Sequence, residues 1–433
     1  VTPDRQEKAR PTWLNSTVLG VGVASLFSDI GHEMATTAMP ALLASLGVSS
    51  AVLGLIEGLA DGLSSFAKLF SGLYSDKLEK RKPLAVVGYF VTASGMASFA
   101  LATQWWHVLL GRVGGWLGRG ARTPVRNVLL TEATTPETYG RAFGLERAMD
   151  SAGAVLGPAA ALLLLAALGP AHFHWLFAFT LIPGTLAALC IALLVREKPH
   201  EPQYKAGIIS GMKVLPSQFY RYLVGVGIAG IGDFSNTLLI LWATQAWTPR
   251  LGVHKAAGYA MAFYIGYNVI YTLSSYFSGG LADRFPKNRV LAIGYAFAVI
   301  PAAALIWPSA SLLKFGIVFG FSGLYMGVWE TLENSTAATV LPKAVRGVGF
   351  GVLATVQGFG DLISSIVVGF LWVLYPAWAM SFVIVTAVVG AAVIASTHPS
   401  IAFSDIRESI GDSPDDAAVA TLSAHSGEEM DAH

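Results

Sequence analysis

Asp29 and Glu33 stand four residues apart with His32 beside Glu33, so on a helix the two carboxylates share one face. In an apolar stretch such a pair holds protons readily near physiological pH, because like charges in a low-dielectric site disfavour joint ionisation. The same acids can instead each be matched to an arginine and simply hold the fold, and a divalent metal site is a third reading. Glu57 and Asp61 repeat the spacing, with Lys68 two turns on; interhelix pairing suits them better. Arg112, Arg119, Arg122 and Arg126 fall within one run. A guanidinium does not shed its proton to escape burial, so each must meet a carboxylate, a carbonyl or an anionic ligand. Arg119 is the candidate for contact with a substrate carboxylate or phosphate, with Arg112 toward the outer side and Arg126 toward the cytoplasm. The competing reading pairs these arginines with Asp29, Asp150, Glu330 or Glu333. Asp233 and Asp361 complete the candidate set for substrate and proton coupling. The nine histidines are scattered, and no ligand cluster, nucleophile elbow or phosphate-binding glycine loop occurs. No enzyme activity, cofactor or resident metal is expected.

These charges sit in a chain of 433 residues that is 54% hydrophobic and 13% charged, with mean hydropathy +0.58. Soluble domains carry about a quarter charged residues, so this is an integral membrane protein. Its single cysteine, Cys190, excludes an internal disulfide and any CxxC site. The net charge of +1 says nothing about partners, and nucleic-acid binding has no support. Val1 to Thr12 is polar and basic and leads into a full-length span, which predicts no cleavable signal peptide.

A bilayer core takes about 20 apolar residues per helix. Twelve spans are predicted, at roughly 17–45, 51–75, 84–103, 107–130, 141–167, 173–195, 218–247, 256–281, 290–308, 313–340, 347–373 and 376–396. The loops following even-numbered spans, with the N-terminus, collect the cations: Arg5, Lys8 and Arg10; Lys77, Lys80, Arg81 and Lys82; Arg196, Lys198, Lys205 and Lys213; Arg284, Lys287 and Arg289; Lys343 and Arg346. The other side holds Arg250, Lys255 and Lys314. The positive-inside rule then places both termini in the cytoplasm. The reading divides the chain into an N-terminus (1–16), a first six-helix bundle (17–195), a polar connection with Pro199 and Pro202 (196–217), a second bundle (218–396) and an acidic, disordered tail (397–433).

A charge inside a membrane is costly unless buried and partnered, so its distribution over the spans is informative. Spans 1, 2, 4, 5, 7, 10 and 11 carry Asp, Glu, Lys or Arg, whereas spans 3, 6, 9 and 12 carry none in their cores. Every third span is therefore expected to form an outer, lipid-facing wall, although span 8 also lacks charge. That span offers Tyr264, Tyr267, Asn268 and Tyr271 as one polar-aromatic stripe, and span 7 adds Trp242, Gln245 and Trp247; such a stripe either packs or faces an amphipathic substrate. The halves repeat. Gly72-x-x-x-Asp76-Lys77 and Gly279-x-x-x-Asp283-Arg284 lie 207 positions apart, as do Phe143-Gly144 and Phe350-Gly351. A parallel repeat of six helices is a transporter signature, two bundles rocking about a site near the bilayer midplane.

The stretch Gly72, Asp76, Lys77, Lys80 and Arg81 resembles the motif between helices 2 and 3 of the major facilitator superfamily, and Gly279, Asp283, Arg284 and Arg289 resemble its second copy. Glu79 stands where the family usually has Gly. Gly111-Arg112 with Gly118 and Gly120 resembles the helix 4 motif whose arginine is implicated in proton coupling. Gly144, Gly153, Gly157 and Pro158 resemble the helix 5 motif of proton-driven antiporters, although Ala161 and Leu162 replace its closing glycines. The resemblance covers about residues 15 to 396. It implies an all-helical membrane fold of twelve helices in two pseudo-symmetric bundles, with helices 1, 4, 7 and 10 lining a cavity and the repeated motifs gating its cytoplasmic side. It further implies a monomeric secondary transporter of the bacterial inner membrane, with a small-molecule substrate and protons as coupling ion. Outward antiport of an organic compound is expected; proton-coupled uptake of an anionic nutrient or metal chelate, and a non-transporting sensor or scaffold, are the rivals.

Overall fold

The structure is a computed structural model that describes residues 13–47, 50–169, 173–197, 212–233, 236–307 and 309–397. Most of the expected N-terminus, central connection and acidic tail lies outside the described residues. Among those described, all regular structure is helical. The helices are α1 (Ser16–Ser45), α2 (Ser50–Asp76), α3 (Lys82–Ala97), α4 (Trp105–Glu132), α5 (Tyr139–Leu168), α6 (Phe173–Phe179), α7 (Leu181–Leu194), α8 (Ser217–Gly230), α9 (Asn236–Leu251), α10 (Val253–Ala282), α11 (Lys287–Ala296), α12 (Val299–Ile306), α13 (Leu312–Val340), α14 (Arg346–Leu374) and α15 (Pro376–Ala395). Three predicted spans are interrupted, so α6 with α7, α8 with α9 and α11 with α12 each make one crossing; the fifteen helices make twelve. Boundaries follow local chemistry. Pro83 and Pro376 open α3 and α15, where a missing N–H costs nothing. Gly169 and Gly252 follow α5 and α9 at positive φ, 73° and 74°, a conformation that favours glycine.

Seven segments are long and apolar enough to cross a membrane by length and composition. Among the described residues the first, second, fourth, seventh and eighth crossings fall short of that measure, the seventh because it is split into two short helices. Spans 3, 6, 9 and 12 make their principal contacts within their own bundle and expose Phe90, Ile182, Ile293 and Val385. The outer wall expected from the cost of buried charge is therefore present. The bundles meet through α2 against α14 and α5 against α10, with α13 and α4 adding contacts.

The 207-residue repeat is written into that seam. Asn127 Nδ2 donates to Asn334 Oδ1 at 2.9 Å and Arg346 donates to Tyr139 at 3.0 Å, each pair 207 residues apart. The Phe143 and Phe350 rings lie 6.2 Å apart. Residues equivalent in the two halves thus touch each other, which is what a two-fold axis through the interface requires. Packing is asymmetric along that axis. At the end carrying loops 77–81 and 283–286, one apolar core draws on both halves, from Val125, Tyr139 and Phe143 to Val345, Phe350 and Leu353. At the other end there are two separate cores, Met34 to Phe177 and Leu239 to Val383. Glycines report the same divergence. A Cβ on Gly72 would lie 2.2 Å from the Gly347 carbonyl oxygen, and one on Gly279 equally close to that of Gly140, whereas Gly58, Gly62, Gly258 and Gly266 have nothing within 4 Å. The molecule is closed at the loop end and spread at the other.

Candidate functional site

Two equivalent latches close the loop end. Asp76 accepts the amides of Gly347 (2.9 Å) and Val348 (2.8 Å) at the start of α14. Asp283 accepts those of Gly140 (2.7 Å) and Arg141 (3.0 Å) at the start of α5, with Arg141 Nε adding a contact at 2.8 Å. Helix N-termini leave amides unsatisfied and carry partial positive charge, so a carboxylate is the natural cap; Gly72 and Gly279 permit the backbone approach that brings it there. The expected gate cations divide. Arg81 is buried, paired with Asp76 at 3.8 Å and bonded to Glu132 at 2.6 Å and to the Ser75 carbonyl at 3.1 Å. Lys77, Lys80, Arg284 and Arg289 are exposed and form no ion pair with either latch aspartate among the described residues. Each aspartate thus bonds an adjacent helix end, and a side-chain cation stands beside it: Arg81 by Asp76, and Arg141 with Lys287 by Asp283.

In the first bundle the arginines of α4 are partnered one by one. Arg112 bonds Glu57 of α2 at 2.8 Å and Thr36 of α1 at 3.0 Å. Arg119 pairs with Asp29 at 3.3 Å, its side chain 27% exposed against 7% for the aspartate. Arg126 pairs with Glu146 of α5 at 2.6 Å. Among the described residues Arg122 has no carboxylate within ion-pair distance; it donates to Ser28 and lies 3.8 Å above the Tyr89 ring. Asp29 and Glu33 do share a face, the one that meets α5, where Gly153 and Gly157 admit their Cβ atoms and the neighbouring α1 backbone. Gly144 instead faces α10 of the second bundle. These helix 5 glycines are sites of close helix approach, and Pro158 lies in the same helix one residue after Gly157. The metal reading of Asp29 and Glu33 finds no support, since no group of three His, Cys, Asp or Glu suited to a metal occurs among the described residues.

Two central residues escaped the candidate set. Arg147 lies 3.1 Å from Asp150 in its own bundle, 3.2 Å from Glu330 in the other and 3.8 Å from Glu146. It is the cation through which the two bundles share an ion-pair network, with Tyr271 of α10 also bonded to Glu330. Its place beside Glu146 and three residues before Asp150 was a readable signal. Trp116 is the other. His32 stacks on it at 4.5 Å, the Arg112 and Arg119 guanidiniums lie 4.4 and 5.1 Å from the ring centre, and its indole N–H donates to Asp61 at 2.6 Å. Its four- and three-residue distances from those arginines carried that information.

The second bundle has a different electrostatic character. Its interior acids are Asp233, Glu330, Glu333 and Asp361, and its membrane-core segments contribute no Lys or Arg. Glu330 borrows Arg147. Asp361 is exposed, with Lys68 of α2 the countercharge beside it. Glu333 is fully buried and bonded to neutral groups, the Tyr295 hydroxyl and the Gln357 amide. Asp233 departs from expectation: it sits at the break between α8 and α9 and lines a cavity inside this bundle, away from the crevice between bundles. The tyrosine stripe is largely packing, Tyr267 and Tyr271 being buried. Trp242 stacks on Trp372 at 3.6 Å, and Trp247 donates to the Ala310 carbonyl at 2.8 Å.

With the latches, the pseudo-symmetric seam and the buried network in place, comparison with known proteins is decisive. Residues 21–365 match the family model described as Major Facilitator Superfamily. The chain belongs to this superfamily. It is a multi-pass membrane transporter and not an enzyme. An uncharacterised MFS-type transporter of Methanocaldococcus jannaschii is 27% identical over 377 residues, 87% of this chain and 93% of the relative. Multidrug resistance protein MdtH of Cronobacter sakazakii is 34% identical over 113 residues, 26% of this chain and 28% of its own. Two solved structures share the fold: FucP in the outward conformation (17% identical, TM-score 0.69, 90% of this chain and 100% of that one) and the proton:xylose symporter XylE (14%, 0.69, 87% and 94%).

Proposed function

We propose that this superfamily member is a proton-coupled antiporter that moves a small organic compound out of a bacterial cell by alternating access, acting as a monomer in the inner membrane. Residues 17–195 and 218–396 would be its two rocking units. The cationic loops support a cytoplasmic position for the latched end, and on that reading the described state is open outward. The observation that carries the reading is Arg147, held between Asp150 and Glu330 of opposite bundles. Protonating Glu330 weakens the ion pair by which Arg147 ties the bundles, protonating Asp150 frees Arg147 within its own bundle, and a ligand with different affinities for the two states shifts their balance. Glu333, buried without a cation, is the second proton-accepting candidate. Acids with access to solvent, namely Glu33, Glu57, Asp61 and Asp361, outnumber Arg119 and Lys68, which suits a cationic or neutral compound exchanged against protons. The fragmentary likeness to MdtH agrees with export. A potential of about 100 mV is worth about 2.3 kcal/mol per charge moved, enough for more than tenfold accumulation.

One feature favours uptake instead. Arg119 is more exposed than its partner Asp29, so an anion reaching the guanidinium would release a carboxylate that then takes a proton, and both would travel together. Purified protein in proteoliposomes under an imposed pH gradient separates the readings across a panel of organic cations, neutral drugs and organic acids. Antiport predicts substrate flux opposite to proton flux; flux in the same direction replaces it with symport.

A further inference from the structure

The seventh crossing does not run through. After α8 ends at Gly230, the amides of Ile231, Gly232 and Asp233 turn back to the carbonyls of Gly227, Ala229 and Gly230, and Asp233 is carried sideways into its own bundle. There it lines a cavity of about 30 Å³ together with Gly232, Tyr295, Ser322 and Tyr325. That volume admits a water-sized occupant or one small ion. Ser322 is buried, 7% exposed, and lines the cavity. Tyr325 turns its hydroxyl toward the carboxylate, and the charged groups around Asp233 are Asp361, Glu330 and Glu333, all acidic. No Lys or Arg lies on the membrane-core segments packed around the cavity. A carboxylate in this setting takes up a proton or binds a cation, since no Lys or Arg among the described residues of this bundle is paired with it.

We propose that this cavity is a binding site for a monovalent alkali cation, sodium in size, held by the Asp233 carboxylate and the Ser322 and Tyr325 hydroxyls. The donors are all oxygen, which selects hard cations. One carboxylate balances one positive charge, which disfavours a divalent ion. Removal of a neutral ligand should weaken binding by about 10-fold or more. Since α8 and α9 are joined at this break, occupancy would also brace the seventh crossing.

The cavity is lined by the second bundle alone, and its occupancy can be tested whatever the direction of transport. Thermal unfolding of the detergent-purified full chain is followed at fixed pH and ionic strength while NaCl replaces choline chloride, with 22Na+ binding measured in parallel. Saturable sodium-dependent stabilisation is expected in the native protein, absent in Asp233→Asn and shifted at least tenfold toward higher sodium in Ser322→Ala. Ser322→Ala keeps the carboxylate and guards against misfolding of the first variant. No sodium dependence, equal stabilisation by choline, or an Asp233→Asn protein that still binds 22Na+ would each overturn the assignment.

Discussion

Gly72→Ala tests whether close backbone contact at the loop end sets the conformational balance. The added Cβ would lie 2.2 Å from the Gly347 oxygen, 3.0 Å from its carbonyl carbon and 3.1 Å from the Gly351 Cα. All three are backbone atoms, so no rotamer relieves the clash and α2 must move from α14 by roughly 1 Å to regain ordinary contact near 3.4 Å. Overpacking of this kind costs about 1–3 kcal/mol, and here the cost falls only on the state in which the helices touch. The ratio of latched to unlatched molecules should drop roughly 5- to 150-fold. Because Gly279 meets Gly140 in the same way, Gly279→Ala should match it and the double variant should add. Spin labels at Lys80 and Arg289, exposed positions on opposite bundles, in a Cys190→Ser background, report the separation by pulsed dipolar spectroscopy. Growth of a longer-distance population is expected, larger in the double variant. An unchanged distance distribution in the double variant would refute the reasoning.

Arg147→Gln leaves Glu330 and Asp150 without their shared cation and should cost about 3–5 kcal/mol, as for a broken buried pair; adding Glu330→Gln should recover part of it and adding Asp150→Asn as well should recover most, read as thermal unfolding in a mutant cycle. Glu333→Gln keeps a group able to accept from Tyr295 while removing a buried charge site. Its melting temperature should therefore hold or rise while the pH dependence of transport flattens, and an unaltered pH profile would remove Glu333 from coupling. Arg112→Ala strands Glu57 within one bundle and should lower thermal stability without changing the loop-end distance distribution; a widened distribution would show that this pair also governs the latch.

Membership of the fold was legible in a single chain because the bilayer penalises charge so heavily. Its cost sorted the spans into lining and wall, and the 207-residue offset announced the two-fold axis on which Asn127 meets Asn334 and Phe143 meets Phe350. Local chemistry also fixed the shared face of Asp29 and Glu33, since helical periodicity acts over four residues. Partner choice is different, because it depends on which spans the bundle brings side by side. That tertiary arrangement matched Arg112 to Glu57, left Arg122 with Tyr89 and Ser28, placed Arg147 between the halves, and set Tyr295 and Gln357 around Glu333. It also turned Asp233 into its own bundle through a break that hydropathy does not register. Sequence determined where charge has to be sheltered; only the packing of distant helices decided which groups shelter it.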